Sequence, residues 1–437
     1  HRLIRRQRQM CIRDRFKKGG LQATGKLTCS TEIKGFPSRL KSLTATGRIQ
    51  AEGISWVSGL LPSPIRGDEL DAELRGKEVL IKLLKLKIGR STLDFRGQIQ
   101  GWEGLRGKLL CDAGYLDISD FRKKERPAAL QGQSAASSPF VKKTDIHMNL
   151  KIHKGVWKGL RYGPVQANCR YKGGDLLIDR SYIQWQHGMM DFIGRIGKGK
   201  GSESLLSAYL KVEGQPIKTL LQAFGIKDPG LEGRLAAEAI LFSRGKGRKG
   251  LVSGLTGSAN ILLEKGTIRK SHIIISVLNF LSLQNIFRKR PPELSKEGFY
   301  YESIKGHITL NRGIAQTRSL YMKSPVFNAA ARGSLDLNSN QLDLELGVEP
   351  LQTIDSVISK IPVLGFILTG KNKTILVYYF DVKGPLSKPE VRHISKGLES
   401  GVVGFLKRVL LSPVRLFKKI PRPSGNLDEK QMNPMLR

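Results

Sequence analysis

The alternation of apolar and polar side chains constrains the fold of this chain more than any other feature. Between residues 326 and 348 the apolar positions are Phe327, Ala329, Ala331, Leu335 and Leu337, and then Leu342, Leu344, Leu346 and Val348. Successive side chains of a β-strand point to opposite faces, so every second side chain lies on the same face. The two runs are separated by Asn338–Gln341, whose residues tolerate turn geometry. The pattern predicts an antiparallel hairpin with one apolar and one polar face.

A short strand–glycine–strand unit recurs along the chain. It occurs at Ile49–Ile54, Leu150–Val156, Ile261–Ile268 and Ile308–Ile314. In each copy an alternating strand ends in a charged residue and Gly, and Gly adopts the positive φ that tight hairpin turns require. We therefore predict a mostly β, repetitive antiparallel array rather than a compact enzyme. Short helices are expected at Ile217–Phe224 and Ile273–Phe287.

Changes in composition suggest how the chain is divided. We expect a non-native leader at 1–15, which resembles translated adapter sequence, and a native N-terminus that is missing. The other expected segments are a β-repeat segment at 16–121, a polar linker at 122–140, a β-groove region at 141–390, an amphipathic helix at 391–421 and a disordered tail at 422–437.

The predicted terminal helix has an apolar stripe with basic residues beside it. The candidate membrane-contacting residues are Leu398, Val402, Phe405, Lys407, Arg408, Val409 and Phe417. Such a helix suits an anionic membrane surface, with its apolar side down. It equally suits a cap on the last edge of the sheet. Pro413 is expected to kink or split it.

The charge balance favours a polyanionic partner. Lys and Arg total 74 against 37 for Asp and Glu, a net charge of +37. Both nucleic acid and anionic lipid head groups attract such a chain. The basic residues are scattered through every segment rather than concentrated on one motif, which disfavours nucleic acid. No run of 18 apolar residues occurs, so the sequence predicts no transmembrane helix.

Catalytic and metal signatures are missing from the sequence. The seven His residues form no HxH or HxxxH pair, and none of the four Cys residues belongs to a CxxC motif. The Cys spacings exclude a dense disulfide framework but leave room for one disulfide. No nucleophile elbow, P-loop or dinucleotide fingerprint occurs in context. We predict a non-enzymatic protein without a cofactor.

The region from Ile273 to Pro389 resembles the C-terminal region of the AsmA-like family, which includes TamB-like and YhdP-like envelope proteins. The matching features are the strand–Gly–strand units, the alternating hairpin, Ile361–Phe366, and the closing Tyr378–Pro389 segment. The resemblance implies an elongated, U-shaped β-groove that transports phospholipids between the inner and outer membranes. It also implies a periplasmic location and an N-terminal inner-membrane helix preceding this chain.

The candidate lipid-contacting residues are the apolar members of the alternating strands. They are Ile261, Leu263, Ile308, Leu310, Phe327, Leu335, Leu337, Leu342, Leu344, Leu346 and Val348. The alternative is that they form an ordinary sandwich core. The expected partners are phospholipids, anionic membrane surfaces and envelope proteins. The second functional hypothesis is an assembly factor that binds outer-membrane strands at its sheet edges.

Overall fold

The computed structural model of the chain describes residues 5–12, 22–35, 42–57, 63–101, 104–121, 143–185, 188–199, 203–223, 226, 228–283, 298–351, 366–370 and 373–394. Most of these residues lie in strands, as predicted. They divide into two units, His1–Lys198 and Gly199–Arg437, called unit 1 and unit 2 below.

Unit 1 contains strands β1 to β12 and a short 3₁₀ helix at Ile118–Phe121. The strands are β1 (Arg5–Ile12), β2 (Gln22–Lys34), β3 (Thr44–Val57), β4 (Ile65–Gly76), β5 (Glu78–Ile88), β6 (Ser91–Gln100), β7 (Arg106–Asp117), β8 (Asp145–Trp157), β9 (Leu160–Tyr162), β10 (Val165–Lys172), β11 (Asp175–Trp185) and β12 (Gly188–Lys198). Strands β1 to β7 pair antiparallel in chain order. β8 then pairs parallel to β7, and the residues between Asp117 and Asp145 supply the return connection that parallel strands require.

The later strands of unit 1 return to antiparallel pairing. β8 pairs with both β9 and β10, and β10, β11 and β12 follow in order. The predicted linker at 122–140 lies outside the described residues. The prediction that residues 1–15 are a non-native leader remains untested, although Arg5–Ile12 pairs with β2.

Unit 2 contains strands β13 to β22 and three short helices. The strands are β13 (Ser204–Pro216), β14 (Arg234–Gly245), β15 (Thr256–Ile268), β16 (Phe299–Asn311), β17 (Ile314–Lys323), β18 (Phe327–Asp336), β19 (Gln341–Pro350), β20 (Phe366–Gly370), β21 (Lys373–Pro385) and β22 (Glu390–His393). The helices are α1 (Ile217–Ala223), α2 (Gly247–Ser253) and α3 (His272–Leu283). β13 to β19 pair antiparallel in chain order, and β19 pairs next with β21. β21 also pairs with β20 and β22.

The predicted hairpin and the two predicted helices are confirmed. β18 and β19 pair with Leu335 opposite Leu342 and Phe327 opposite Pro350. The turn between them includes Asn340, which has a φ of 55°. Helix α1 lies within the predicted segment Ile217–Phe224, and α3 begins one residue before the predicted segment Ile273–Phe287 and ends inside it.

Three of the four strand–glycine–strand units were interpreted wrongly as hairpin turns. β3, β8 and β15 each run straight through their unit. Only Arg312 and Gly313 form a true hairpin turn, between β16 and β17. Positive φ at Gly53 and Lys265 alters the strand locally without reversing it, as a β-bulge residue does. A charged residue followed by Gly can therefore form either a hairpin turn or a β-bulge, and the local sequence does not distinguish the two.

The segment Gly245–Gly250 belongs to the connection between the antiparallel strands β14 and β15, and the helix α2 begins within it at Gly247. None of the helices in the described part of the chain is long and apolar enough to span a bilayer.

Candidate functional site

The paired strands of unit 2 bring an uninterrupted set of apolar residues to one side of the sheet. Directly paired residues of neighbouring strands share a face, and successive residues along each strand point to opposite faces. The pairings place the following residues together. From β13 to β16 they are Leu206, Ala208, Leu210, Val212, Leu235, Ala237, Ala239, Leu241, Ser243, Gly257, Ala259, Ile261, Leu263, Ile304, Gly306, Ile308 and Leu310. From β17 to β21 they are Ala315, Thr317, Leu320, Met322, Phe327, Ala329, Ala331, Gly333, Leu335, Leu342, Leu344, Leu346, Val348, Pro350, Tyr378, Phe380, Val382 and Gly384. We call this set the unit 2 apolar face.

No member of the unit 2 apolar face is charged. Its polar members, together with the buried Gln215 opposite Leu235, differ in their hydrogen bonding. The hydroxyl of Ser243 donates to the carbonyl oxygen of Leu251 at 2.5 Å. The hydroxyl of Thr317 donates to the carbonyl oxygen of His307 at 2.9 Å. The Tyr378 hydroxyl is buried without a hydrogen-bond partner among the described residues, and burial raises its pKa. The face therefore resembles hydrocarbon in its chemistry.

The opposite side of the same strands holds their charged, ion-paired residues, together with buried side chains such as Ile240, Tyr321 and Tyr379. Arg332 on β18 pairs with Glu345 directly across on β19. Lys383 on β21 pairs with Asp381 at 3.0 Å. Cross-strand pairs of opposite charge stabilise a sheet without burial. The charged positions of this side can face water, whereas the apolar side must be covered by protein or by an apolar ligand.

Unit 1 has an equivalent surface. Its pairings bring together the following residues. They are Leu27, Cys29, Ile33, Ala45, Ile49, Ala51, Leu70, Ala72, Leu74, Val79, Ile81, Leu84, Leu86, Leu93, Phe95, Ile99, Leu109, Cys111, Ala113, Ile146, Met148, Leu150, Ile152, Val165, Ala167, Cys169, Tyr171, Leu176, Ile178, Ile183, Met190, Phe192 and Ile196. We call this set the unit 1 apolar face. It contains no charged residue, and in β7 and β8 it supplies the less exposed member of the alternation.

Part of the unit 1 apolar face is densely packed. Its members Leu93, Cys111, Ile152 and Val165 belong to one buried cluster, which also includes the neighbouring Ile88. Burial raises the pKa of the Cys111 thiol to about 12, so this thiol is protonated at neutral pH. Cys29, Cys111 and Cys169 are all free thiols. No group of three or more metal-ligating side chains occurs within the described part of the chain.

Helix α3 covers one end of the unit 2 apolar face. Its Phe280 ring packs against those of Tyr378 and Phe380, with centroids 5.5 and 5.3 Å away, and stacks on His393 at 4.3 Å. The helix starts beyond the end of β15, about five strand spacings or ~24 Å from β21. Its 12 residues are about 18 Å long. It therefore crosses the face at the strand ends that include Phe327.

The covered end and the rest of the face differ in exposure. Near α3, Phe327 and Val348 are 1% and 0% exposed. Away from the helix, Ile308, Leu335 and Leu344 remain partly exposed, although Leu342 and Val382 beside them are 6% and 1% exposed. One end of the face is thus a protein core, as the sandwich alternative requires, whereas several side chains further along it are accessible to a ligand.

The predicted lipid-contacting residues fall almost entirely on this one face. Among the predicted residues, those that are partly exposed are Ile261, Ile308, Leu310, Leu335, Leu344 and Leu346. Those that are buried are Leu263, Phe327, Leu342 and Val348. Leu337 lies in the turn after β18 instead. Lipid contact by these residues stays a prediction. The predicted membrane-helix residues, from Leu398 to Phe417, lie outside the described residues.

Sequence reasoning missed the unit 1 apolar face. Its signal was present in β6 to β8, where every second residue is apolar, for example Leu109, Cys111 and Ala113. Apolar residues on the polar side, such as Leu110, which is 57% exposed, interrupt this alternation in the sequence. The role of Phe280 had no signal in sequence, since its partners lie about 100 residues further along the chain.

Comparison with known proteins agrees with this architecture. The profile described as YhdP protein matches residues 69–391. The chain belongs to the YhdP protein family. The match extends from β4 to β22, so it includes most of both apolar faces.

One curated relative is the protein named Intermembrane phospholipid transporter YhdP of Escherichia coli (strain K12). It is 21% identical over 289 residues, an alignment that covers 61% of this chain and 23% of the relative. The chain thus aligns with about a quarter of that protein's length. No solved structure matches the chain.

Proposed function

We propose that this chain binds phospholipids by their acyl chains along its apolar faces and transports them between the two membranes of a bacterial envelope. The observation that best supports this is the uncharged, partly exposed unit 2 apolar face. Burial of a methylene stabilises a complex by about 0.8 kcal/mol. An acyl chain lying on Ile308, Leu335 and Leu344 would bury many methylenes at once.

The proposal needs no catalytic group and no polar pocket. Acyl chains are recognised by shape and hydrophobicity, while head groups stay hydrated at the edge of the face. The relative's printed name, an intermembrane phospholipid transporter, supports the same function in this chain. On this proposal the protein is not an enzyme, is periplasmic, and needs no cofactor.

The test is mass spectrometry of lipids that co-purify with the chain. Leu344 is directly opposite Gly333 on one side and Val382 on the other, so Leu344→Asp places a charge in the middle of the apolar face. We expect co-purified phospholipid to fall at least about fivefold, because the desolvated carboxylate opposes acyl contact. Gln316→Asp is the matched control, since Gln316 is exposed on the polar side and should retain lipid.

A second variant keeps the test informative if Leu344→Asp unfolds the protein. Ile308→Ser and Leu335→Ser together make the face polar without adding charge, and both residues are partly exposed. A folded double variant with undiminished lipid would contradict the proposal. An unaltered chain that purifies without phospholipid would contradict it as well.

A further inference from the structure

Four hairpin tips of unit 2 are joined in a row at the end of the sheet opposite α3. The Gly313 N–H, in the β16–β17 tip, donates to the Leu255 carbonyl oxygen beyond α2 at 2.9 Å. The Leu337 N–H donates to the Gly313 oxygen at 2.9 Å, and the Leu386 N–H donates to the Asn340 oxygen at 2.9 Å. These bonds fix the tips 246–255, 312–313, 337–340 and 386–389 side by side. We call them the tip rim.

The tip rim adjoins the unit 2 apolar face. The hydroxyl of Ser243, a member of that face, donates to the Leu251 oxygen in α2. The Ser253 hydroxyl donates to the Asn338 side-chain oxygen at 2.8 Å, which joins α2 to the β18–β19 tip. An acyl chain that reaches this end of the face therefore meets the rim next.

Basic side chains without ion pairs dominate the tip rim. Lys246, Arg248, Lys249, Arg312 and Lys388 are all exposed. No ion pair found among the described residues involves any of them. This contrasts with the polar side of the sheet, where Arg332 and Lys383 have carboxylate partners.

Three carboxylates lie near the rim. Glu203 precedes Ser204, which pairs with Gly245, so it is beside Lys246. The Asp336 carboxylate accepts the backbone N–H of Asn338 at 2.8 Å and the Ser339 hydroxyl at 2.8 Å, so it serves its own turn. Glu390, which follows the last tip, pairs with Arg392 at 2.8 Å. These three carboxylates do not cancel the five basic groups.

Apolar side chains project among these basic groups. Ile314, which follows the β16–β17 tip, is 38% exposed, and Leu386 in the β21–β22 tip is 49% exposed. Basic groups beside exposed apolar residues are typical of surfaces that enter the head-group region of a bilayer. Nucleic acid would use the charge but not the aliphatic side chains.

We propose that the tip rim docks on a bilayer that contains anionic phospholipids. Lys246, Arg248, Lys249 and Arg312 contact phosphates, and Ile314 and Leu386 enter the interface. This orientation places the tip end of the unit 2 apolar face at the membrane surface. That the docked bilayer supplies or receives the lipid rests on the proposed function. Docking itself requires no lipid transport.

The test is flotation of the full chain with vesicles made of equal parts phosphatidylglycerol and phosphatidylcholine, or of phosphatidylcholine alone. We expect binding only to the anionic vesicles, falling with added salt as charges are screened. The variant Lys246→Ser, Arg248→Ser, Lys249→Ser should bind about a hundredfold more weakly, from about fivefold per basic residue. Ile314→Ser with Leu386→Ser should weaken binding at every salt concentration.

The matched control removes the same charges elsewhere. Arg96→Ser, Lys108→Ser and Lys151→Ser change three exposed residues on the polar side of unit 1. Equal losses in the control and the tip variant would overturn the proposal, since net charge alone would then explain binding. It would also be overturned by an unaltered chain that ignores anionic vesicles, or by one that binds duplex DNA instead.

A second readout separates docking from lipid carriage. Lipid loading from detergent micelles involves no bilayer, so the tip variant should load as much phospholipid as the unaltered chain. Vesicle binding with no loading by any form would count against the proposed function and leave docking in place. If the tip variant loads phospholipid and also binds vesicles as well as the unaltered chain does, the docking proposal is contradicted and the proposed function is not.

Discussion

At the scale of single residues, the most constrained polar group in unit 1 is Asp117, which is 1% exposed. Its carboxylate accepts the backbone N–H of Ser119 at 2.9 Å and the Ser119 hydroxyl at 2.6 Å, and it pairs with Arg90. The Ser119 hydroxyl, followed by its backbone N–H and by Arg90, lowers the pKa of Asp117. These bonds fasten the 3₁₀ helix to the β5–β6 turn at the end of the unit 1 apolar face.

Asp117→Asn should destabilise unit 1 by about 2 kcal/mol at neutral pH, because hydrogen bonds to a buried charge are lost. A carboxyl whose pKa is lowered by folding stabilises the protein above its unfolded pKa of ~3.9, and this contribution disappears as pH falls through the folded value. The deficit of the variant should therefore shrink below about pH 4. Urea unfolding followed by tryptophan fluorescence measures it, since all four Trp residues belong to unit 1.

Asp112→Asn is the control for Asp117. Asp112 pairs with His153 at 2.9 Å, but both side chains are more than half exposed. Surface pairs contribute little. An Asp117→Asn deficit that equals the control, or that persists unchanged at low pH, would contradict the account of this carboxylate.

At the scale of elements, α3 determines how much of the unit 2 apolar face is covered. Its apolar residues Ile274, Val277, Leu278 and Leu281 are buried, and Phe280 contacts β21. The helix follows β15 in sequence yet packs against a strand that begins about 90 residues later. It competes for the same surface that a lipid would occupy.

Phe280→Ala should loosen α3 without unfolding the sheet. Truncating a partly exposed aromatic residue costs about 2 kcal/mol, below the range for a fully buried one. Hydrogen exchange of the α3 amides should accelerate about thirtyfold, while β16 to β18 keep their protection. Asn279→Ala, at an exposed neighbouring position, is the control and should leave exchange unchanged. Acceleration across the whole sheet would show that α3 is inseparable from the core.

The elements differ in how far sequence could predict them. The β18–β19 hairpin was predictable because its register follows from a two-residue period and a turn of turn-forming residues. The units around Gly53 and Lys265 were mistaken for turns, because positive φ permits both a reversal and a bulge. Helix α3 was predictable as a helix, but its packing against Tyr378 depends on contacts distant in sequence.

At the scale of the whole molecule, the two units share one type of sheet. Each has a sheet with an uncharged apolar side and an ion-paired polar side, exemplified by Arg48 with Asp71 in unit 1 and Arg332 with Glu345 in unit 2. A single apolar side in one unit could be ordinary core. The proposed lipid binding requires an uncharged apolar face, and each unit of this YhdP family member has one of its own.

The most direct test is photo-crosslinking of bound phospholipid from single benzoylphenylalanine positions. Leu109 and Leu344 are on the apolar faces of units 1 and 2, whereas Lys108 and Gln316 are on the polar sides. The account predicts lipid adducts at Leu109 and Leu344 and none above background at the other two positions. Equal labelling at all four positions, or none at either apolar position in a lipid-loaded chain, would contradict it.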